Sequence, residues 1–294
     1  MPEATVTKGG HGLPFSKGLM AQSLQASGVG PERAFELARL IEHRLETDGV
    51  TEIDVAALRS LTAEVLGREE GESAVRRFSD WQRLNHLDRP LIVRLAGTAG
   101  VGKSTVATML AGRLGITRVI PTDAIRQVLR ACFSPQVMPA VHYSSFEAAQ
   151  AVELSAGGGD DADIVGFARQ AETVAAGVSA IIDRAALENT GMVIEGVHLV
   201  PGMLDRTRRD CLPVEAVIVI QDEDVHRAHF SRRGGNRPAE RYLDRFDQIR
   251  KLQSYLATRA RAEGVPVIDN PNIDEALNEV MGLVLEAVGA EAQP

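Results

Sequence analysis

Cysteine is scarce in this chain of 294 residues: Cys132 and Cys211 are its only two. They carry no metal-binding spacing, and two thiols cannot build a disulfide framework, so a stapled secreted module is excluded and a reducing cytoplasm is expected. Long hydrophobic runs are missing too. No stretch reaches the roughly 18 apolar residues of a membrane helix, and the N-terminus lacks a signal-type apolar core. Nor is there a surplus of positive charge, since 32 Lys and Arg face 40 Asp and Glu for a net charge of −8. That balance does not attract phosphate backbones, so neither nucleic acid nor a membrane is expected as partner. There is no internal repeat, and a homo-oligomer stays open.

What is present is "GTAGVGKST", residues 97–105. It fits G-x-x-x-x-G-K-[ST], with Gly97, Gly102, Lys103 and Ser104 at the required spacing. Glycines let the backbone N–H groups of a loop through Thr98, Ala99, Gly100 and Val101 turn inward around phosphate oxygens. Lys103 then reaches the β- and γ-phosphates, Ser104 offers its hydroxyl to Mg²⁺, and Thr105 completes the cradle. The flanks agree: "PLIVRLAG" reads as a buried strand, and "STVATMLAGRLG" reads as a helix ending at Gly115 whose N-terminus faces the same anion. ATP and Mg²⁺ are the cofactors this implies. The guanine-reading N-K-x-D is absent, and the only D-x-x-G, Asp163 to Gly166, falls at the start of a long helical pattern. Gly157 to Gly159 lack the flanks of a transporter signature. GTPase and transporter readings lose their support, and a small-molecule kinase remains.

Residues 1–88 read as a small, mostly helical domain. "TVTKGGHGLPF" suggests a hairpin around Gly9 and Gly10, and apolar residues recur at helical spacing through Ala34, Leu37, Ala38, Ile41 and Leu45. Pro31 suits a helix start, Asp54 an N-cap, and "NHLDRP" a boundary. From 89 to 294, the runs "LIVRLA", "RVIPT", "MVIEGV", "VEAVIVI" and "VPVID" alternate with helices. That is the α/β pattern of a five-stranded parallel sheet with helices on both faces. Between the second and third runs, a seam through Ile164, Ala171, Ala175, Val178, Ile182 and Ala185 is read as packing.

In such sheets ligands bind beyond the carboxyl ends of the strands. After "RVIPT" comes Asp123, placed either to take a proton from an acceptor hydroxyl or to cap the following helix. Arg126 and Arg130 follow it one turn apart and suit an anionic acceptor. After "MVI" comes Glu195, a Walker-B-type acid for Mg²⁺ if its strand lies beside the one feeding the loop. His198 is a further candidate at the acceptor. Asp222 and Glu223, after "VIVI", are a rival acid pair whose place at a helix start is explained by the dipole alone. "FSRRGGNRPAER" gathers Arg232, Arg233, Arg237 and Arg241 around two glycines, as a lid that stabilises charge in transfer would.

The chain resembles the 2-phosphoglycerate kinase family in "LPFSKGLMAQSL", "GTAGVGKST", "TDAIRQVLR", "HYSSFEAAQ", "VIEGVHLVPG", "YLDRFDQIRKLQSYL" and "VPVIDN", from about residue 12 to 270. The resemblance implies a P-loop kinase core and transfer from Mg·ATP to the hydroxyl of 2-phosphoglycerate, giving 2,3-diphosphoglycerate. The partner it implies is a small anionic metabolite. The first domain also resembles an ATP-cone, with Lys8 as the basic residue of its hairpin. A nucleoside- or sugar-phosphate kinase, and a nucleotide-responsive regulatory protein with weak ATPase activity, stay open beside it.

Overall fold

The computed structural model describes residues 4–8, 11–153, 162–231 and 239–291. They fall into two units, one of Met1–Leu87 with Met281–Pro294 and one of Asp88–Val280. The second domain of the sequence reading ran to 294, whereas residues 281–294 group with the first unit.

In the first unit, β1 (Thr5–Lys8) pairs antiparallel with β2 (His11–Pro14) and parallel with β3 (Glu52–Asp54). Gly9, Gly10 and the Lys8 side chain lie outside the described residues. Helices α1 (Lys17–Ala26), α2 (Pro31–Thr47), α3 (Val55–Glu69) and α4 (Glu72–Arg83) make up most of the rest. Their three-and-four spacing buries Leu24, Leu37, Ile41, Leu45 and Phe78, each large side chain contributing about 1.5–3 kcal/mol. Pro31 opens α2, where a missing N–H costs nothing. The Asp54 carboxylate accepts the N–H of Ala57 at 2.7 Å and so caps α3.

The second unit begins with β4 (Leu91–Ala96), α5 (Lys103–Leu114), β5 (Val119–Pro121) and α6 (Thr122–Cys132). Then come α7 (Ala149–Glu153), α8 (Ala162–Leu187), β6 (Met192–Gly196), β7 (Leu212–Val219) and α9 (Glu223–Ser231). Last are α10 (Ala239–Leu243), α11 (Phe246–Ala262), β8 (Val267–Asp269) and the first part of α12 (Ile273–Glu291), which from Met281 on groups with the first unit. All pairings are parallel, in the order β5-β6-β4-β7-β8. The five runs of the sequence are these strands, and helical crossovers are what parallel neighbours require. Ile92, Ala96, Ile194 and Val217 form one cluster with Phe167, Val174 and Val178 of α8 and Leu252 and Leu256 of α11. Gly115 ends α5 in a left-handed conformation at φ 67°. Among the described residues, no helix is long and apolar enough to cross a membrane.

Candidate active site

The phosphate loop leaves β4 at Ala96 and enters α5 at Lys103, so its N–H groups sit at a strand end and a helix start together. Its carbonyls point elsewhere. The Ala99 oxygen accepts from Nε2 of His226 at 2.9 Å, that of Gly100 from Nδ1 of His229 at 3.0 Å, and that of Val101 from Nδ2 of Asn270 at 2.8 Å. Gly100 has φ +89°, and a Cβ there would lie 2.5 Å from the Phe230 ring, so only glycine fits. Thr98 Oγ1 is buried without a hydrogen-bond partner among the described residues. An orphan hydroxyl in a glycine cradle is the donor set that a nucleotide phosphate completes.

Beside the loop, β6 runs parallel to β4 and sets Glu195 opposite Leu95. The Ser104 hydroxyl donates to Glu195 Oε1 at 2.9 Å, and Lys103 Nζ stands 3.7 Å from Oε2. The strand neighbour expected for Glu195 is thus the one found. Among the described residues no group of three or more His, Cys, Asp or Glu is suited to hold a metal by itself. A hydroxyl and one carboxylate fit Mg²⁺, which keeps several waters and shares phosphate oxygens. The rival acid has other work: Asp222 Oδ1 accepts the N–H groups of Asp224 at 2.8 Å and Val225 at 3.0 Å, capping α9.

Asp123 lies two residues beyond β5, in the first turn of α6, with 69% of its side chain exposed. Arg126 Nε donates to its Oδ1 at 3.0 Å. Burial raises the Asp123 carboxyl, but the Arg126 guanidinium and the Lys103 ammonium pull it down, and the balance falls below the usual carboxylate range. The group is an ionised acceptor at neutral pH. Arg126 is not the open anion fork its spacing suggested. It is buried, and Nη1 donates to the carbonyls of Val141 at 3.0 Å and Tyr143 at 3.1 Å, while Nη2 has no partner among the described residues. Arg130, one turn on, is exposed.

His198, expected at the acceptor, has no nitrogen to offer one. It is 1% exposed, with Nδ1 2.9 Å from Thr122 Oγ1 and Nε2 3.1 Å from Gln170 Oε1. Gln170 spends its amide hydrogens on the carbonyls of Ala140 and Tyr143, so its oxygen accepts and His198 carries its proton on Nε2. Burial pushes the imidazole down to about 4, which keeps it neutral. Gly196 makes room for this contact, since a Cβ there would fall 1.8 Å from Thr122 Oγ1.

No protein-family model matches the chain. It is 34% identical over 280 residues to a 2-phosphoglycerate kinase of Methanopyrus kandleri, covering 92% of this chain and 84% of that one. It is 36% identical over 276 residues to one of Methanothermobacter thermautotrophicus, covering 91% and 89%. The chain belongs to the 2-phosphoglycerate kinase family. Among solved structures, a gluconokinase from Sinorhizobium meliloti 1021 aligns with 69% of this chain and 98% of its own, at TM-score 0.40 and 16% identity.

In this member of the 2-phosphoglycerate kinase family, Arg232, Arg233 and Arg237 lie outside the described residues. Arg241 is described and is paired, donating to Glu147 at 2.6 Å and Ser144 at 2.9 Å. His226, His229, Asn270 and Gln170 went unread in the sequence. Asn270 directly follows the run "VPVID", where strand-end logic would have found it. The two histidines stand three apart on the helix after β7, a spacing that puts both on one face. Gln170 was hidden inside a seam of apolar residues.

Proposed function

We propose that the chain transfers the γ-phosphoryl group of Mg·ATP to the free hydroxyl of 2-phosphoglycerate in the cytoplasm, releasing ADP and 2,3-diphosphoglycerate. The observation that carries the reading is the meeting of Lys103, Ser104 and Glu195 at one strand end, with ionised Asp123 beyond the next strand. Mg·ATP, when bound, would supply the transferable phosphoryl group. Gly97 to Thr105 hold the phosphates, with Lys103 as a point charge. Ser104 and Glu195 would hold Mg²⁺ through a hydroxyl and a carboxylate.

Asp123 accepts a hydrogen bond from the acceptor hydroxyl, orients its oxygen, and takes the proton as the new P–O bond forms and the bond to ADP breaks. Its low proton affinity suits a loose transition state, in which orientation counts for more than early deprotonation. Nη2 of Arg126 and the guanidinium of Arg130 take the carboxylate and phosphate of the acceptor. Arg232 and Arg237 stabilise the charge in transfer.

ADP release coupled to a panel of acceptors tests the reading. Stimulation by 2-phosphoglycerate, and not by 3-phosphoglycerate, sugar phosphates or nucleoside monophosphates, is the expected result. Indifference to every acceptor overturns it. Asp123→Asn is expected to slow transfer by ~10²–10⁴ while ADP binding persists. Normal turnover in that variant would leave Asp123 only its place in the first turn of α6, where an acid suits the helix dipole.

A further inference from the structure

Four consecutive carbonyls of the phosphate loop each accept a side-chain hydrogen bond. Thr98 takes its bond from Lys103 at 3.3 Å, Ala99 from His226, Gly100 from His229 and Val101 from Asn270. Three of the four donors stand outside the motif, two on α9 and one just past β8. In a trans peptide the carbonyl and the next N–H point in opposite directions. Pinning the oxygens of Ala99, Gly100 and Val101 to the donor side therefore turns the N–H groups of Gly100, Val101 and Gly102 the other way. Among the described residues those N–H groups donate to no carbonyl. The glycines do not choose this arrangement, because they let the peptide planes rotate either way. A carbonyl turned inward would meet a phosphate oxygen with like partial charge.

We propose that His226, His229 and Asn270 are positioning residues for nucleotide binding, an external bracket that fixes the peptide planes of the phosphate loop so that its N–H groups face the triphosphate. They act through the backbone. A carbonyl only accepts, so His226 carries a proton on Nε2 and His229 one on Nδ1. The His226 ring is held in plane by Phe230, stacked at 5.4 Å between centroids, and by the edge of Phe246 at 5.3 Å. The loop presses on this bracket: a Cβ at Gly100 would lie 2.7 Å from His226 Nε2.

Crossed amide substitutions test the bracket, because the Gln amide nitrogen stands where Nε2 was and the Asn nitrogen where Nδ1 was. His226→Gln and His229→Asn keep the donor in place, while His226→Asn and His229→Gln displace it. The readout is the Kd of Mg·ADP by calorimetry, which needs no acceptor and is independent of the acceptor's identity. The displacing variants are expected to weaken ADP about five- to tenfold, and the conserving ones by less than about twofold. KM for ATP should follow Kd, with KM for the acceptor unmoved. Equal weakening by both amides at His229, or none, overturns the proposal. His229 is only half buried, so its pair decides the matter even where a His226 variant fails to fold. Asn270→Asp, which sets an acceptor against the Val101 oxygen, should weaken ADP at least as far as His229→Gln; wild-type affinity there would remove Asn270 from the bracket.

Discussion

Glu195 and Glu215 carry the same carboxylate on the two strands that flank β4, opposite Leu95 and Arg94. They stand one rung apart, and the alternation of a strand sends them to opposite faces of the sheet. Both are buried, at 7% and 8% exposure. Their partners differ. Glu195 meets a serine hydroxyl and a lysine of the phosphate loop, groups that a bound cation and phosphate would redirect. Glu215 is closed off by Arg94, which is 1% exposed and 3.3 Å away, and by Arg206 at 3.3 Å. Burial pushes the Glu215 carboxyl up and the Arg94 guanidinium down, each against the pull of the other. A buried acid at a strand end that faces displaceable partners can serve chemistry; one enclosed by arginines serves the fold.

Replacing an acid by its amide separates the two roles. Glu215→Gln leaves Arg94 charged and uncompensated in the core, and a broken buried pair costs about 3–5 kcal/mol. Urea unfolding should show that loss, with the specific activity of the folded fraction unchanged. Glu195→Gln removes the charge that a cation near Ser104 needs, and kcat/KM should fall ~100-fold at fixed Mg²⁺ with little change in unfolding midpoint. A reversed pattern, with Glu195→Gln unfolding the chain or Glu215→Gln silencing it, would erase the distinction.

Glu195 was legible because it ends an apolar run and precedes a glycine, features local in sequence. So were the phosphate loop, the five strands, Pro31, Asp54 and Gly115, since strand, helix and cap patterns lie within a few residues. The bracket was not. His226 reaches Ala99 across 127 positions, and Asn270 reaches Val101 across 169. Periodicity shows which face a residue shares, but not what stands opposite that face. His198 was misread for the same reason. Its place after β6 put it near the acceptor, while its hydrogen bonds go to Gln170 and Thr122. The bonds that bury Arg126, to carbonyls of a turn at 139–143, were equally out of sight.

His198 extends the comparison to a neutral buried group, and pH is its probe. In an unfolded chain a histidine takes its proton near 6.5, and in the fold His198 takes one only at about 4. Between these values the unfolded state binds more protons, so stability is complete above pH 6.5 and declines as pH falls toward 4. Moving from pH 7 to pH 5 should cost the wild type about 2 kcal/mol from this group. His198→Asn should lose that much less over the same interval in urea titrations. Identical pH slopes in the two proteins would show that His198 is not held neutral by the fold.

The smallest effect belongs to Asp54, a carboxylate with purely local work. It caps α3 through an oxygen that accepts the Ala57 N–H, and an amide oxygen accepts equally well. Asp54→Asn should therefore change unfolding by only a few tenths of a kcal/mol, where Asp54→Ala costs about 1. The same acid-to-amide exchange thus has three expected outcomes, set by what each oxygen faces. Opposite a backbone N–H only the acceptor counts, opposite a buried guanidinium the charge supports the fold, and opposite a cation site the charge supports the rate. If Asp54→Asn proved as costly as Asp54→Ala, charge rather than acceptance would be its contribution, and the amide exchange would no longer discriminate among the three.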